Sequence, residues 1–110
     1  RLQGDWSSDV CSSDLSSRMG SINLRRSPNG WLYRASKAAA NSVLKDASIA
    51  FGGRAVCVAL HPGWVKTDMG GSQAELNPAE VVSSMRAVLA RLGMQDNGNF
   101  LNFDGKPLAW

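Results

Sequence analysis

The sequence has little of what marks a protein out for a special setting. It has no apolar run approaching the roughly 20 residues that a membrane-spanning helix needs, so no membrane role is expected. It does not open on a basic stretch followed by an apolar one, so no secretory signal peptide is expected either. Cys11 and Cys57 are the only two cysteines among 110 residues. They are too few for a disulfide framework and do not have the spacing of a metal site, which fits a reducing, cytoplasmic compartment. Basic clusters are also scarce. The net charge is only +3, and Arg25-Arg26 is the one adjacent basic pair, so nucleic-acid binding is not expected. The rest is ordinary. A chain with 44% hydrophobic and 19% charged residues is a soluble globular one, long enough for one small domain with a core.

Residues 1–15 differ from everything after them. Asp5 to Leu15 have neither a two-residue nor a 3.6-residue apolar period, and Ser-Ser-Asp occurs twice, at Ser7 to Asp9 and Ser12 to Asp14. A polar, disordered tail would read this way. Residues 5–15 also resemble the translated product of a common sequencing-library adapter, in which case Trp6 and Cys11 carry no function. On either account residues 1–15 are a non-native or disordered leader to be left out of fold reasoning. Without its one Arg and three Asp, the remainder carries +5 rather than +3.

From Ser16 the chain becomes legible. Ser16 to Ile22 form a polar, Gly-containing turn, and Asn23 to Trp31 a loop with the turn signal Pro28-Asn29-Gly30. A helix is predicted from about Trp31 to Phe51, with Ala40, Val43, Leu44, Ala47 and Phe51 facing the core. Ala35, Ala38 and Ala39 leave a second surface smooth enough to pack on another helix or subunit. Gly52-Gly53 ends the helix. Ala55 to Leu60 are continuously apolar, as in a strand covered on both faces of a parallel sheet. After a loop from Trp64 to Gln73, Asn77-Pro78-Ala79-Glu80 has a cap, a first-turn Pro and a first-turn acid. Val81, Val82, Met85, Val88, Leu89 and Leu92 give the next helix its apolar face, and Gly93 ends it. Phe100 to Phe103 predict a last strand, parallel to the earlier one through a right-handed crossover. The fold class is α/β, and the order helix–strand–helix–strand looks like the second half of a doubly wound sheet.

One spacing points to chemistry. Tyr33 and Lys37 stand four apart at the start of the first helix, which puts a phenol and an ammonium on one face, a turn from each other. A nearby cation favours the phenolate, so the pair suits a tyrosine that gives and takes protons near neutrality. The spacing is common, and a Lys stem lying beside an aromatic ring produces it too.

With its neighbours, the pair resembles the active-site helix of the short-chain dehydrogenases/reductases, in the C-factor-like and carbonyl-reductase-like branch. Ser17 followed by Gly20 is similar to that family's catalytic-serine turn, and Tyr33-Arg34-Ala35-Ser36-Lys37 to its active-site helix. Pro62-Gly63 with Val65, Thr67, Asp68 and Met69 resembles its cofactor-contacting loop. Gly98-Asn99-Phe100, Asp104-Gly105 and Leu108-Ala109-Trp110 resemble the ending of that branch. The resemblance covers about residues 16–110 and implies the C-terminal portion of an NAD(P)-binding Rossmann-type domain.

The resemblance implies a hydride exchange between a nicotinamide cofactor and a carbonyl or alcohol substrate. Tyr33 would pass the proton. Lys37 would lower the Tyr33 pKa and bond the nicotinamide ribose, and Ser17 would hydrogen-bond the carbonyl oxygen. Pro62, Gly63, Val65 and Thr67 would contact the cofactor, Val65 through its backbone at the carboxamide and Thr67 at a phosphate. Ser16 and Ser21 compete with Ser17 for the serine role, since Ser17 lies sixteen residues before Tyr33, farther than usual. The Gly-rich phosphate turn, an Asn-Ala-Gly stretch and a fourth catalytic residue (an Asn) have no counterpart here, so the cofactor requires an N-terminal half. NAD and NADP both fit, with NADP favoured. The 110-residue chain alone is expected to bind dinucleotide weakly and not to turn over.

Other residues have blander readings. His61 reads as a packed histidine, Lys66 and Asp68 as solvated loop charges, and Cys57 as core filler. Trp31 and Trp64 either line a pocket or pack. Trp110 reads as packing on the parent body or a subunit partner. No metal site is expected. The partners expected are a small-molecule substrate and a second copy of the chain through the Ala-rich helix. A non-catalytic signalling or scaffold protein of the same shape is the alternative function. An independent small binding domain fares worse, because its sheet edge would stand open.

Overall fold

The computed structural model describes residues 11–65, 71 and 73–110. Its elements are β1 (Cys11–Leu15), α1 (Trp31–Ala50), β2 (Val56–His61), α2 (Pro78–Arg91), β3 (Phe100–Asn102) and β4 (Pro107–Leu108). They build one four-stranded sheet in the order β1-β2-β3-β4. β1 and β3 each pair in parallel with β2, and β4 turns back antiparallel to β3.

β2 is the centre of this arrangement. Its side chains alternate between faces as any strand's do, but both faces are covered. Cys57 and Ala59 meet Leu44 and Ala47 of α1 together with Phe100. Val56, Val58 and Leu60 meet Val88, Met85 and Leu89 of α2 together with Leu101. The result is an α/β/α sandwich, and the unbroken apolar run of this strand follows from it. Among the described residues, no helix is long and apolar enough to cross a membrane.

Helix starts follow local chemistry. Asn77 caps α2, its Oδ1 accepting from the Ala79 N–H at 2.9 Å, and Pro78 occupies the first turn where no donor is needed. α1 starts differently. Gly30 stands at its N-cap with φ 65°, a left-handed conformation that glycine takes without strain, and offers no side-chain cap.

Three expectations are corrected. Cys11–Leu15, inside the stretch set aside as a leader, forms strand β1 against Val56 to Leu60. Strand pairing uses backbone groups, and an apolar period does not register them. Trp6 lies outside the described residues. A second strand, β4, also lies beyond the four elements predicted. Finally, Val43 and Phe51 do not face the core, being 68% and 48% exposed. The buried stripe of α1 runs through Asn41, Leu44 and Ser48 instead. Two polar residues stand there, and the Oδ1 of the first and the Oγ of the second each have a bonding partner. Ser16 Oγ donates to Asn41 Oδ1 at 2.5 Å, and Ser48 Oγ to the Lys45 carbonyl at 2.7 Å. Val82 of α2 is likewise exposed while Val81 is buried.

One side chain ties the layers together below the site. Asn97 Oδ1 accepts from the Cys57 N–H at 2.8 Å, and its Nδ2 donates to the Ser48 carbonyl, also at 2.8 Å. The Gly98 N–H donates back to the Cys57 carbonyl at 2.8 Å. The end of α1, the start of β2 and the approach to β3 therefore share one knot.

Candidate active site

The parallel strands β1 and β2 end side by side, at Leu15 and His61, and the candidate site is built from the segments that leave these two ends. In open α/β sheets, this carboxyl edge is where ligands bind. After β1 the ladder runs one residue further, with the Ser16 N–H donating to the Leu60 carbonyl at 2.7 Å. The chain then folds into a 3-10 turn, Arg18–Gly20, capped by Ser17.

Ser17 is buried, and its Oγ accepts from the Met19 N–H at 3.1 Å. Its hydroxyl proton is therefore left to donate elsewhere. The rival serines are both committed. Ser16 Oγ donates to Asn41, and the fully buried Ser21 Oγ donates to the Ala109 carbonyl at 2.6 Å. Geometry thus separates three neighbouring hydroxyls that compete on sequence alone.

Tyr33 and Lys37 occupy the first turns of α1. The Lys37 ammonium lies 5.8 Å from the centre of the Tyr33 ring. Tyr33 is 37% exposed, so the residue is partly open to solvent. The serine turn rests directly on this helix. A Cβ at Gly20 would come within 2.8 Å of the Lys37 carbonyl carbon and 3.0 Å of Asn41 Nδ2. No side chain fits between them, and the absence of one lets the Ser17 turn approach the Tyr33–Lys37 helix. That Asn41 Nδ2 is a buried donor with no acceptor among the described residues.

After β2, His61 closes the other side. Its Nδ1 accepts from the Arg18 N–H at 3.1 Å, joining the two strand ends. Burial, and next the charge of Arg18, hold the imidazole down from 6.5 to about 4. It is a neutral acceptor at physiological pH, which agrees with the packed reading. This has an effect on stability. Between pH 6.5 and about 4 the unfolded chain takes up a proton that folded His61 refuses, so stability should fall on acidification across that window. The loss should be about 2 kcal/mol, allowing for partial solvent access. Urea denaturation at pH 7.5 and 4.5 measures it, and His61→Gln should remove that part of the difference.

Pro62 and Gly63 come next. Gly63 has φ +83°, and a Cβ there would run into Leu76 Cδ1. Trp64 and Val65 then meet the approach to α2: the Leu76 N–H donates to the Trp64 carbonyl at 3.1 Å, and Val65 bridges to Leu76. Thr67, with Lys66, Asp68 and Met69, lies outside the described residues. Trp31 is 74% exposed, its indole N–H bonding the Pro28 carbonyl. Among the described residues no group of three or more His, Cys, Asp or Glu could hold a metal ion.

This geometry has relatives. The chain is 37% identical over 97 residues to C-signal of Myxococcus xanthus, covering 87% of this chain and 58% of that protein. It superposes on the carbonyl reductase Sniffer of Drosophila melanogaster with a TM-score of 0.87 and 42% identity, over 91% of this chain and 41% of the other. A short-chain dehydrogenase/reductase of Burkholderia multivorans with bound NADP gives 0.80 and 31%, over 93% and 45%. The chain is part of a short-chain dehydrogenase/reductase. No family model matches it. This short-chain dehydrogenase/reductase chain spans about half the length of the curated relatives it matches. The resemblance in its motifs is thus matched by an α/β fold shared with carbonyl reductases.

The pairing of His61 with Arg18 has no signal in the sequence. Forty-three positions separate them, and only the parallel register of β1 on β2 brings them together.

Proposed function

We propose that the chain is the C-terminal part of an NADP-dependent oxidoreductase that reduces a small-molecule carbonyl, or oxidises the corresponding alcohol. The observation that carries this is the Lys37 ammonium over the Tyr33 ring, with the Ser17 turn seated on the same helix through Gly20. Tyr33 passes its phenolic proton to the carbonyl oxygen. The Ser17 hydroxyl donates to that oxygen and stabilises the charge developing there. Lys37 keeps the phenol reactive and has no carboxylate partner among the described residues, so its remaining N–H groups are available to ribose hydroxyls.

The dinucleotide, when bound, supplies hydride to the carbonyl carbon. The residues that would hold its nicotinamide end are Tyr33 and Lys37 at the start of α1 together with Pro62, Gly63 and Val65, which follow the carboxyl end of β2, with Thr67 two positions further on. They offer no Gly-rich turn for its pyrophosphate, so that end belongs to an upstream part of the fold. NADP is preferred to NAD because related structures hold it. Self-association through the outer face of α1, where Leu32 and Val43 are exposed, is part of the same reading.

The experiment is paired. A full-length form carrying these residues should oxidise NADPH in the presence of aldehydes or ketones, and the 110-residue chain alone should not. Tight, micromolar NADPH binding by the short chain would contradict the division of labour. A full-length form inert toward every carbonyl, yet keeping a biological effect after Tyr33→Phe, would favour a scaffold or signalling role.

A further inference from the structure

Ser21 and Trp110 have no part in the chemistry proposed above, yet the structure binds them closely to it. Ser21 Oγ donates to the Ala109 carbonyl at 2.6 Å and accepts from the Leu24 N–H at 3.1 Å. The next donor along the chain, the Ile22 N–H, reaches the Trp110 carbonyl at 2.7 Å. Trp110 is itself anchored. Its indole stacks on buried Phe100 with ring centroids 5.3 Å apart, and the Lys45 ammonium lies 6.0 Å from it.

The serine turn is therefore held from two sides. Gly20 rests on Lys37 of α1, and Ser21-Ile22 are fastened to Ala109-Trp110, which the aromatic pair fixes to the first residue of β3. A three-residue 3-10 turn has poor hydrogen-bond geometry and little cohesion of its own. Its position is set by what grips its ends. Catalytic geometry tolerates little slack: a displacement of about 1 Å can cost on the order of 100-fold in rate.

We infer that Trp110 and Ser21 are positioning residues, which hold the Ser17 hydroxyl at its working distance from Tyr33 and Lys37 by fastening the chain immediately after the turn. The inference rests on the proposed role of Ser17. The mechanical link can be read without cofactor or turnover, so the two can fail separately.

Amide hydrogen exchange on the 110-residue chain reads the link. Trp110→Ala should speed exchange at Gly20, Ser21 and Ile22 at least about tenfold, with Val58 and Leu60 in β2 still protected, and Trp110→Phe should restore the turn by keeping an aromatic stack. Should Trp110→Ala fail to fold, Ser21→Ala removes the 2.6 Å bond and leaves the stack on Phe100 intact; it should give the same contrast. An unchanged turn, equal acceleration in β2, or no rescue by Phe would overturn the link. In a full-length form, Trp110→Ala should lower kcat about tenfold with the KM for NADPH unaltered, and Trp110→Phe should recover it. An unaltered kcat would overturn the positioning role. Loss of turnover in Tyr33→Phe tests the oxidoreductase reading independently.

Discussion

Tyr33→Phe should lower kcat of a full-length form by about 100- to 10,000-fold, the range that general acid–base catalysis contributes. The substitution removes one oxygen and nothing else. The ring stays, Lys37 can still lie over its face, and a residue 37% exposed at the start of a helix contributes little to packing through its hydroxyl. Stability should change by no more than about 0.5 kcal/mol. The KM for NADPH should rise only modestly, since the substitution leaves the Lys37 ammonium unaltered. Loss of NADPH absorbance with a reducible aldehyde measures the rate. A variant retaining a tenth of the kcat would refute the role given to Tyr33.

Phe100→Ala should be the most damaging single change to the fold. Phe100 is 1% exposed, sits among Leu44, Cys57 and Ala59, and stacks on Trp110. Truncating a buried Phe costs about 3–5 kcal/mol in transfer and cavity terms. Small domains have only about 5–15 kcal/mol to lose. Urea denaturation should show the variant largely unfolded, or folded with its midpoint sharply lowered. Val43→Ala is the control. That side chain is exposed on the outer face of α1, so its loss should cost less than about 0.5 kcal/mol.

The two helices are legible in the sequence because their signals are local. Asn77, Pro78 and Glu80 write a helix start within four residues, and the span expected for the first helix lies within a residue of Trp31–Ala50. β2 is legible because a strand covered on both faces is apolar throughout. β1 is not, since its register is written in backbone groups that sequence does not distinguish. Val43 and Phe51 mislead for a related reason. Periodicity finds an apolar stripe but does not know where a polar residue will find a partner, and Asn41 and Ser48 find theirs. The candidate site divides in the same way. Tyr33 and Lys37 are neighbours on one helix, so their spacing carries their geometry. Ser16, Ser17 and Ser21 look alike in sequence, and only the partners of each hydroxyl tell them apart. The contact of His61 with Arg18, and that of Ser21 with Ala109, depend on how distant segments meet.

The Asn97 knot has a chemical consequence. An Asn followed by Gly ages by attack of the glycine nitrogen on the side-chain amide, which closes a succinimide ring and releases ammonia. The chain holds this dipeptide at Asn29-Gly30 and Asn97-Gly98. At the second, the attacking nitrogen is engaged with the Cys57 carbonyl and the amide under attack is held at both ends. Asn29 lies exposed on the loop before α1, its side-chain oxygen accepting from Ser27 and Arg34 and its carbonyl from Arg34. Deamidation of the folded protein should therefore fall first on Asn29, and any modification at Asn97 should be slow, keeping pace with how often the end of α1 parts from β2.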